Sequence, residues 1–293
     1  MKNKKHIRVL NTSAGCLHRI PLGMSKTIMS YLFIIIFCFV DTCHAQSKTK
    51  VFDEQLKMIN HNVLEMSYFE INNDREGEAF KILILGNSLA HCGIFPDLGW
   101  LYAAGMAASE IEKDYVHLLL RMTDSIMPEK RIDMKIIPSM FAFERNLTTF
   151  DFSVFDHFAS FQPDLIIIQI GENVGFNEIQ SPEVFREKYI SLIRYLKQDR
   201  HPPVICTTSF FPSATKNRIT QQVALATKSY LVDLSHLALS DERNYAKNED
   251  NYPGDKSAWK VDGIGFHPGD LGMKNVAQQI FTVINALCAN QKK

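Results

Sequence analysis

Apolar and polar positions sort this chain into short apolar runs that alternate with stretches of helical period from residue 81 onward. Ile82–Leu85, Ile132–Ile137, Leu165–Ile170, Val204–Thr208 and Tyr230–Leu234 are bounded by glycine, proline or polar residues and predict strands. Leu165–Ile170 is nearly continuous in its apolarity, as expected of a strand buried on both faces. Between them, Met106–Met127 places Ile111, Val116, Leu119 and Leu120 on one helical face. Pro182–Leu196 follows a Ser181 cap, with proline at the first helical position. Asn217–Thr227 is a further helix. Gly269–Leu287 closes the pattern, with Val276, Ile280, Val283, Ile284 and Leu287 on its apolar face. Strand–helix alternation of this kind implies an α/β protein with a parallel sheet covered on both faces. Reactive groups are then expected at the carboxyl ends of the strands.

The first residues follow a different pattern. Lys2, Lys4, Lys5 and Arg8 precede an uncharged, mostly apolar run from Ile28 to Val40. That run has the length of a signal-peptide core and falls short of the ~20 residues that span a bilayer. Cys43-His44-Ala45 before Gln46 has the form of a cleavage site. The basic-to-apolar spacing improves if translation starts at Met24. Residues 1–45 are therefore expected to be a signal peptide, 46–80 an N-terminal strap and 81–293 the folded domain. The expected location is exported, periplasmic or secreted, with no stable membrane insertion after cleavage. An uncleaved anchor, or a lipid on Cys43, is the competing reading.

Removing the leader changes the charge. The chain has 32 Lys/Arg and 32 Asp/Glu; residues 1–45 hold six of the former and one of the latter, leaving 26 and 31, a formal −5. No basic stripe remains, so a nucleic-acid partner has no electrostatic support. Three cysteines, Cys92, Cys206 and Cys288, stay behind at spacings that suit neither a disulfide framework nor a metal site. Cys206 reads as a small core residue.

Three segments fall where predicted strands end or the last helix begins. They are Gly86-Asn87-Ser88, Gly171-Glu172-Asn173, and Asp262-Gly-Ile-Gly-Phe-His267. A serine hydroxyl is a weak nucleophile that needs a base within hydrogen-bond reach. Histidine is the usual base, and a carboxylate sets its tautomer. An asparagine amide can donate to a developing oxyanion. Each part occurs once. The bland reading of Asn87 and Ser88 is a helix cap.

In order and placement these segments resemble the SGNH hydrolases, the GDSL esterase/lipase superfamily. Leu85-Gly86-Asn87-Ser88 is similar to the family's first block, Gly171-Glu172-Asn173 to its third, and Asp262 with His267 to its fifth. His267-Pro268 and Leu271-Gly272-Met273 are also in the family style. The resemblance covers about residues 80–290. It implies a flavodoxin-like three-layer α/β/α sandwich with a five-stranded parallel sheet and a serine-dependent carboxylic ester hydrolase. Ser88 would be the nucleophile, His267 the base and Asp262 the orienting acid. The Ser88 backbone N–H and the Asn173 side chain would contribute to the oxyanion hole. No cofactor and no metal is implied. The partner would be a small-molecule or glycan ester, with an O-acetylated carbohydrate the favoured substrate.

The chain departs from that pattern at three points. The acid usually lies three positions before the histidine, where Ile264 stands here, so Asp262 requires a bulge of two residues. The second block normally supplies a glycine N–H after strand two. Here Ile137-Pro-Ser-Met-Phe-Ala-Phe-Glu-Arg145 has none, so a backbone N–H near Met140–Phe143 is expected to substitute. Val174 stands where an Asp often follows the third-block Asn. Gly171, Glu172 and Phe143 are expected at the substrate; the competing reading puts Phe143 in the core, the commoner place for such an aromatic, and turns Glu172 to solvent. Trp100 and Trp259 are further aromatic candidates, Trp259 in the polar loop from Asp241 to Lys260. His91 is a candidate pocket residue. Asp270 is expected to cap the last helix and is the fallback acid. The competing functions are a non-catalytic glycan-binding protein on the same scaffold, which predicts a separated Ser88 and His267, and a lipase or lysophospholipase.

Overall fold

The computed structural model describes residues 68–94, 103–198, 200–249 and 262–291. The expected leader, most of the strap, Trp100 and Trp259 lie outside the described residues. Six strands form one sheet: β1 (Phe69–Asn72), β2 (Ala79–Leu85), β3 (Arg131–Ile137), β4 (Leu165–Ile168), β5 (Val204–Thr207) and β6 (Tyr230–Val232). Their spatial order is β1-β3-β2-β4-β5-β6. The five from β2 onward pair in parallel, and β1 runs antiparallel along the outer edge of β3. The parallel strands therefore follow the 2-1-3-4-5 order of doubly wound flavodoxin-like sheets, whose ligand crevice opens where the winding reverses, between β2 and β4.

The expected five-stranded sheet gains β1 from the strap. Glu70 lies opposite Lys135 in the β1–β3 register, and the two are bridged at 2.9 Å. The Lys135 ammonium also stands over the Tyr68 ring at 4.3 Å and the Phe161 ring at 4.8 Å. A mostly buried lysine is tolerable only when so surrounded.

Alternation along the strands separates two cores. Ile82, Ile84, Met134 and Ile136 face one side, against Tyr115, Leu119, Val276 and Ile280 of α1 (Tyr115–Ile126) and the long C-terminal helix. Leu83, Leu85, Ile166 and Ile168 face the other, against Phe185, Tyr189, Ile193 and Val223. The second set of helices is α3 (Pro182–Lys197) and α4 (Ala214–Thr227). The result is three layers. Each fully buried aliphatic side chain contributes roughly 1.5–3 kcal/mol.

Shorter pieces include α2 (Phe141–Arg145), a 3-10 segment (Phe152–Phe161), α5 (Ser235–Ser240) and α6 (Asp262–Gly265); the long C-terminal helix is α7 (Asp270–Gln291). Among the described residues no helix is long and apolar enough to cross a membrane. The helix expected from Met106 begins only at Tyr115. Asp114 caps it, its carboxylate accepting from the His117 N–H at 2.8 Å and the Gly105 N–H at 3.0 Å. The residues before it use their backbone elsewhere. The Met106 N–H donates to the Ser88 carbonyl at 2.7 Å, and the Ser109 N–H to Asp270 at 2.8 Å.

The cap of α7 also differs from expectation. The Asp270 and Leu271 N–H groups donate to Glu249, each at 2.7 Å, so Glu249 supplies the cap. Asp270 instead accepts from the Ser109 hydroxyl at 2.7 Å and pairs with Lys113 at 3.0 Å.

Gly272, in the first turn of α7, allows this helix to lie against the 244 turn. A β-carbon there would overlap the Asn244 carbonyl oxygen and stand 2.6 Å from the Pro268 β-carbon. Backbone cannot yield as a side chain can. Gly272→Ala is expected to cost about 1–3 kcal/mol of stability, measured as a lower urea midpoint with an unchanged slope.

Candidate active site

The three central strands end level: Leu85 is in register with Ile137 on one side and Ile168 on the other. Backbone bonds extend this order past the strand ends. The Gly86 N–H donates to the Ile137 carbonyl at 2.9 Å, the Met140 N–H to the Gly86 carbonyl at 3.1 Å, and the Gln169 N–H to the Leu85 carbonyl at 2.8 Å. The chain then turns at once. The Ala90 and His91 N–H groups both donate to the Asn87 carbonyl. Ser88 thus sits on a tight turn at the end of β2, partly exposed, with Asn87 buried beneath it.

His267 reaches Ser88 from the other end of the chain. The distance between the Ser88 Oγ and the His267 Nε2 is 2.9 Å, although 179 positions separate them. His267 is 4 % exposed, and Phe211 packs edge-on against its ring with centroids 5.0 Å apart. Its backbone is held on both sides. The His267 N–H donates to the Ile264 carbonyl, and the Ala246 N–H to the His267 carbonyl, each at 2.9 Å. The loop bulge expected at Asp262 is a helical turn, α6. The Asp262 side chain lies outside the described residues.

Gly171 and Asn173 follow β4. Gly171 has φ +118°, a conformation that side-chain-bearing residues rarely adopt. It turns the chain so that the N–H groups of Gly171 and Asn173 both donate to Glu144, the Asn173 bond being 3.2 Å. Glu144 lies on α2, is fully buried, and accepts from the Asn87 amide at 3.0 Å as well. Sequence reasoning assigned Glu144 no role. The signal was present in the Phe-Ala-Phe-Glu-Arg stretch, where an acid sits beside apolar residues at the end of a strand.

Of the two places open to Phe143, rim and core, the structure takes the core: the residue is fully buried. It packs on Phe150 and Phe152 at 5.3 and 6.2 Å, because α2 turns that face into the core and its neighbour Glu144 toward the loops. Of the backbone donors expected near Met140–Phe143, those of Met140 and Ala142 are committed to the Gly86 and Ser139 carbonyls. His91 packs against Phe69, its Nδ1 is buried, and burial holds its pKa down at about 4. Among the described residues no group of three or more His, Cys, Asp or Glu is placed to hold a metal ion.

Glu172 points inward. Its Oε1 accepts from the Gln169 amide at 2.5 Å, and its Oε2 is buried. Burial first, and the Glu144 carboxyl second, push its pKa up to about 7. Burial likewise raises Glu144 and lowers Lys216, whose ammonium donates to the Glu172 carbonyl at 3.0 Å. The cluster thus carries two carboxyls against one ammonium, so a retained proton relieves their repulsion.

No protein-family model matches the chain, and no curated protein matches it. Solved structures similar to it include a lipase/acylhydrolase from Enterococcus faecalis, 15% identical, with a TM-score of 0.42, covering 70% of this chain and 95% of that one. A family two carbohydrate esterase from Cellvibrio japonicus is 14% identical, with a TM-score of 0.41, covering 70% of this chain and 60% of that one. A structure designated GDSL-like lipase, from Bacteroides uniformis, is 14% identical, with a TM-score of 0.40, covering 72% and 97%.

An unfolded glutamate has released its proton above about pH 4.5, whereas folded Glu172 keeps it until about 7. The folded state then binds more protons than the unfolded one, so this group's contribution to stability falls as pH rises through that window and levels off beyond it. Glu172→Gln is expected to raise the melting temperature relative to the parent at pH 8 more than at pH 4.5.

Proposed function

We propose that this chain is a serine-dependent ester hydrolase of the SGNH/GDSL type. The observation that carries the proposal is the 2.9 Å contact between the Ser88 Oγ and the His267 Nε2 at the switch point of the sheet. With Nε2 unprotonated, His267 accepts the Ser88 proton as Oγ attacks an acyl carbonyl. The carbonyl oxygen becomes an oxyanion. The Ser88 backbone N–H, which has no acceptor among the described residues, and the Asn173 amide serve as its donors. Protonated His267 then delivers its proton to the departing alcohol, leaving an acyl-serine. A water gives its proton to the same nitrogen and attacks the acyl carbon, releasing the acid and restoring Ser88.

Asp262 orients His267 in this scheme, the role that the resemblance to the SGNH hydrolases implies for it. The substrate is an O-acetylated carbohydrate met outside the cytoplasm. The signal-like pattern of residues 1–45 and the resemblance to exported SGNH esterases support that choice. A glycan-binding protein that had lost catalysis would have no need to hold the hydroxyl and imidazole in contact.

The test is hydrolysis of p-nitrophenyl acetate by the chain from Gln46. Ser88→Ala and His267→Ala are each expected to lower kcat by at least about a thousandfold with folding intact. Rates equal to the parent's in Ser88→Ala would overturn the hydrolase reading and favour binding without catalysis.

A further inference from the structure

We infer that Glu144 is the positioning residue of the oxyanion hole: its buried carboxylate ties the loop after β4, which carries Asn173, to the turn after β2, which carries Ser88. The inference rests on the hydrolase reading above and adds a residue to it. Its basis is geometric. One oxygen of Glu144 accepts from the Gly171 N–H. The other accepts from the Asn173 N–H at 3.2 Å and from the Asn87 side-chain amide at 3.0 Å. Gly171 and Asn173 on one side of the switch point and Asn87 on the other thus converge on one carboxylate, which the Asn173 side chain faces as well. Gly171, Asn87 and Glu144 are all buried, so water cannot replace these bonds. Without an acceptor in this place, the Gly171 N–H and the Asn87 amide would be left buried and unpaired, each costing roughly 1–3 kcal/mol.

The segment after β3 therefore gives the site something other than the expected glycine donor. Its Met140 N–H fastens it to Gly86, and its Glu144 supplies an acceptor beneath the hole. This also explains asparagine at position 87. An aspartate there would place a second carboxylate against Glu144, in a cluster that already holds Glu172 with only Lys216 to balance it. Asn87 and Glu144 are a matched donor and acceptor.

The chemistry predicts a characteristic set of variants, all read on p-nitrophenyl acetate. Glu144→Gln turns an amide NH₂ toward the Asn87 and Asn173 donors. It is expected to lower kcat by about 10–100-fold, somewhat less than removal of an oxyanion donor outright, with KM within about threefold of the parent. Asn173→Ala should cost less in the Glu144→Gln background than in the parent, because both changes act through the same amide. Asn87→Asp should also lower kcat. The combined Asn87→Asp, Glu144→Gln chain should recover part of the Glu144→Gln loss, since the exchanged pair again matches a donor with an acceptor. If Glu144→Gln does not fold, Asn87→Ala removes one bond of the bracket and should lower kcat severalfold with KM unchanged. A folded Glu144→Gln with parental kcat, a loss confined to KM, or strict additivity with Asn173→Ala would overturn the inference while leaving the hydrolase standing. So would parental kcat in Asn87→Ala. A parent chain without Ser88-dependent turnover would overturn both.

Discussion

The level ending of β2, β3 and β4 is the constraint on which the site depends. Leu85, Ile137 and Ile168 share one register, and the backbone bonds from Gly86, Met140 and Gln169 carry it one step beyond the sheet. Three loops consequently leave the sheet at the same height and within reach of one another. A hydroxyl on the first can then meet the imidazole of His267, which stands just before α7. Buried strand residues on two faces make that register costly to shift, since a slip by one residue would exchange every side chain between the two cores.

Electrostatics at this end of the sheet are set by desolvation more than by pairing. Glu144 and Glu172 are both pushed upward by burial, and Lys216 downward. A cluster of this kind is unfavourable for folding taken alone. It persists because the donors that turn inward from the loops need an acceptor there. His91 shows the same effect on a base: burial against Phe69 favours its neutral form.

Much of this arrangement was legible in the residues. The five parallel strands were visible as apolar runs, because burial on both faces leaves few polar positions to confuse the pattern. Ser88, Asn173 and His267 stood at element boundaries, and the structure brings Ser88 and His267 into contact. Edge strand β1 was hidden because one of its faces is solvated and it is short. The late start of α1 was hidden because periodicity continues through residues whose backbone is claimed by Ser88 and Asp270. Phe143 lies in the core, and Glu144, for which no role was expected, reaches the loops. An aromatic after a strand suggests a rim, but a five-residue helix turned it inward and carried the neighbouring acid to the loops. That rotation depends on contacts far apart in sequence, which no local pattern records.

The most direct test is covalent capture of the nucleophile. A fluorophosphonate forms a phosphorus–oxygen bond with an activated serine as fluoride leaves and the serine proton passes to the base. Peptide mapping of the labelled chain from Gln46 should place one adduct on Ser88, with labelling lost in His267→Ala. Absence of an adduct on Ser88, or undiminished labelling without His267, would contradict the account.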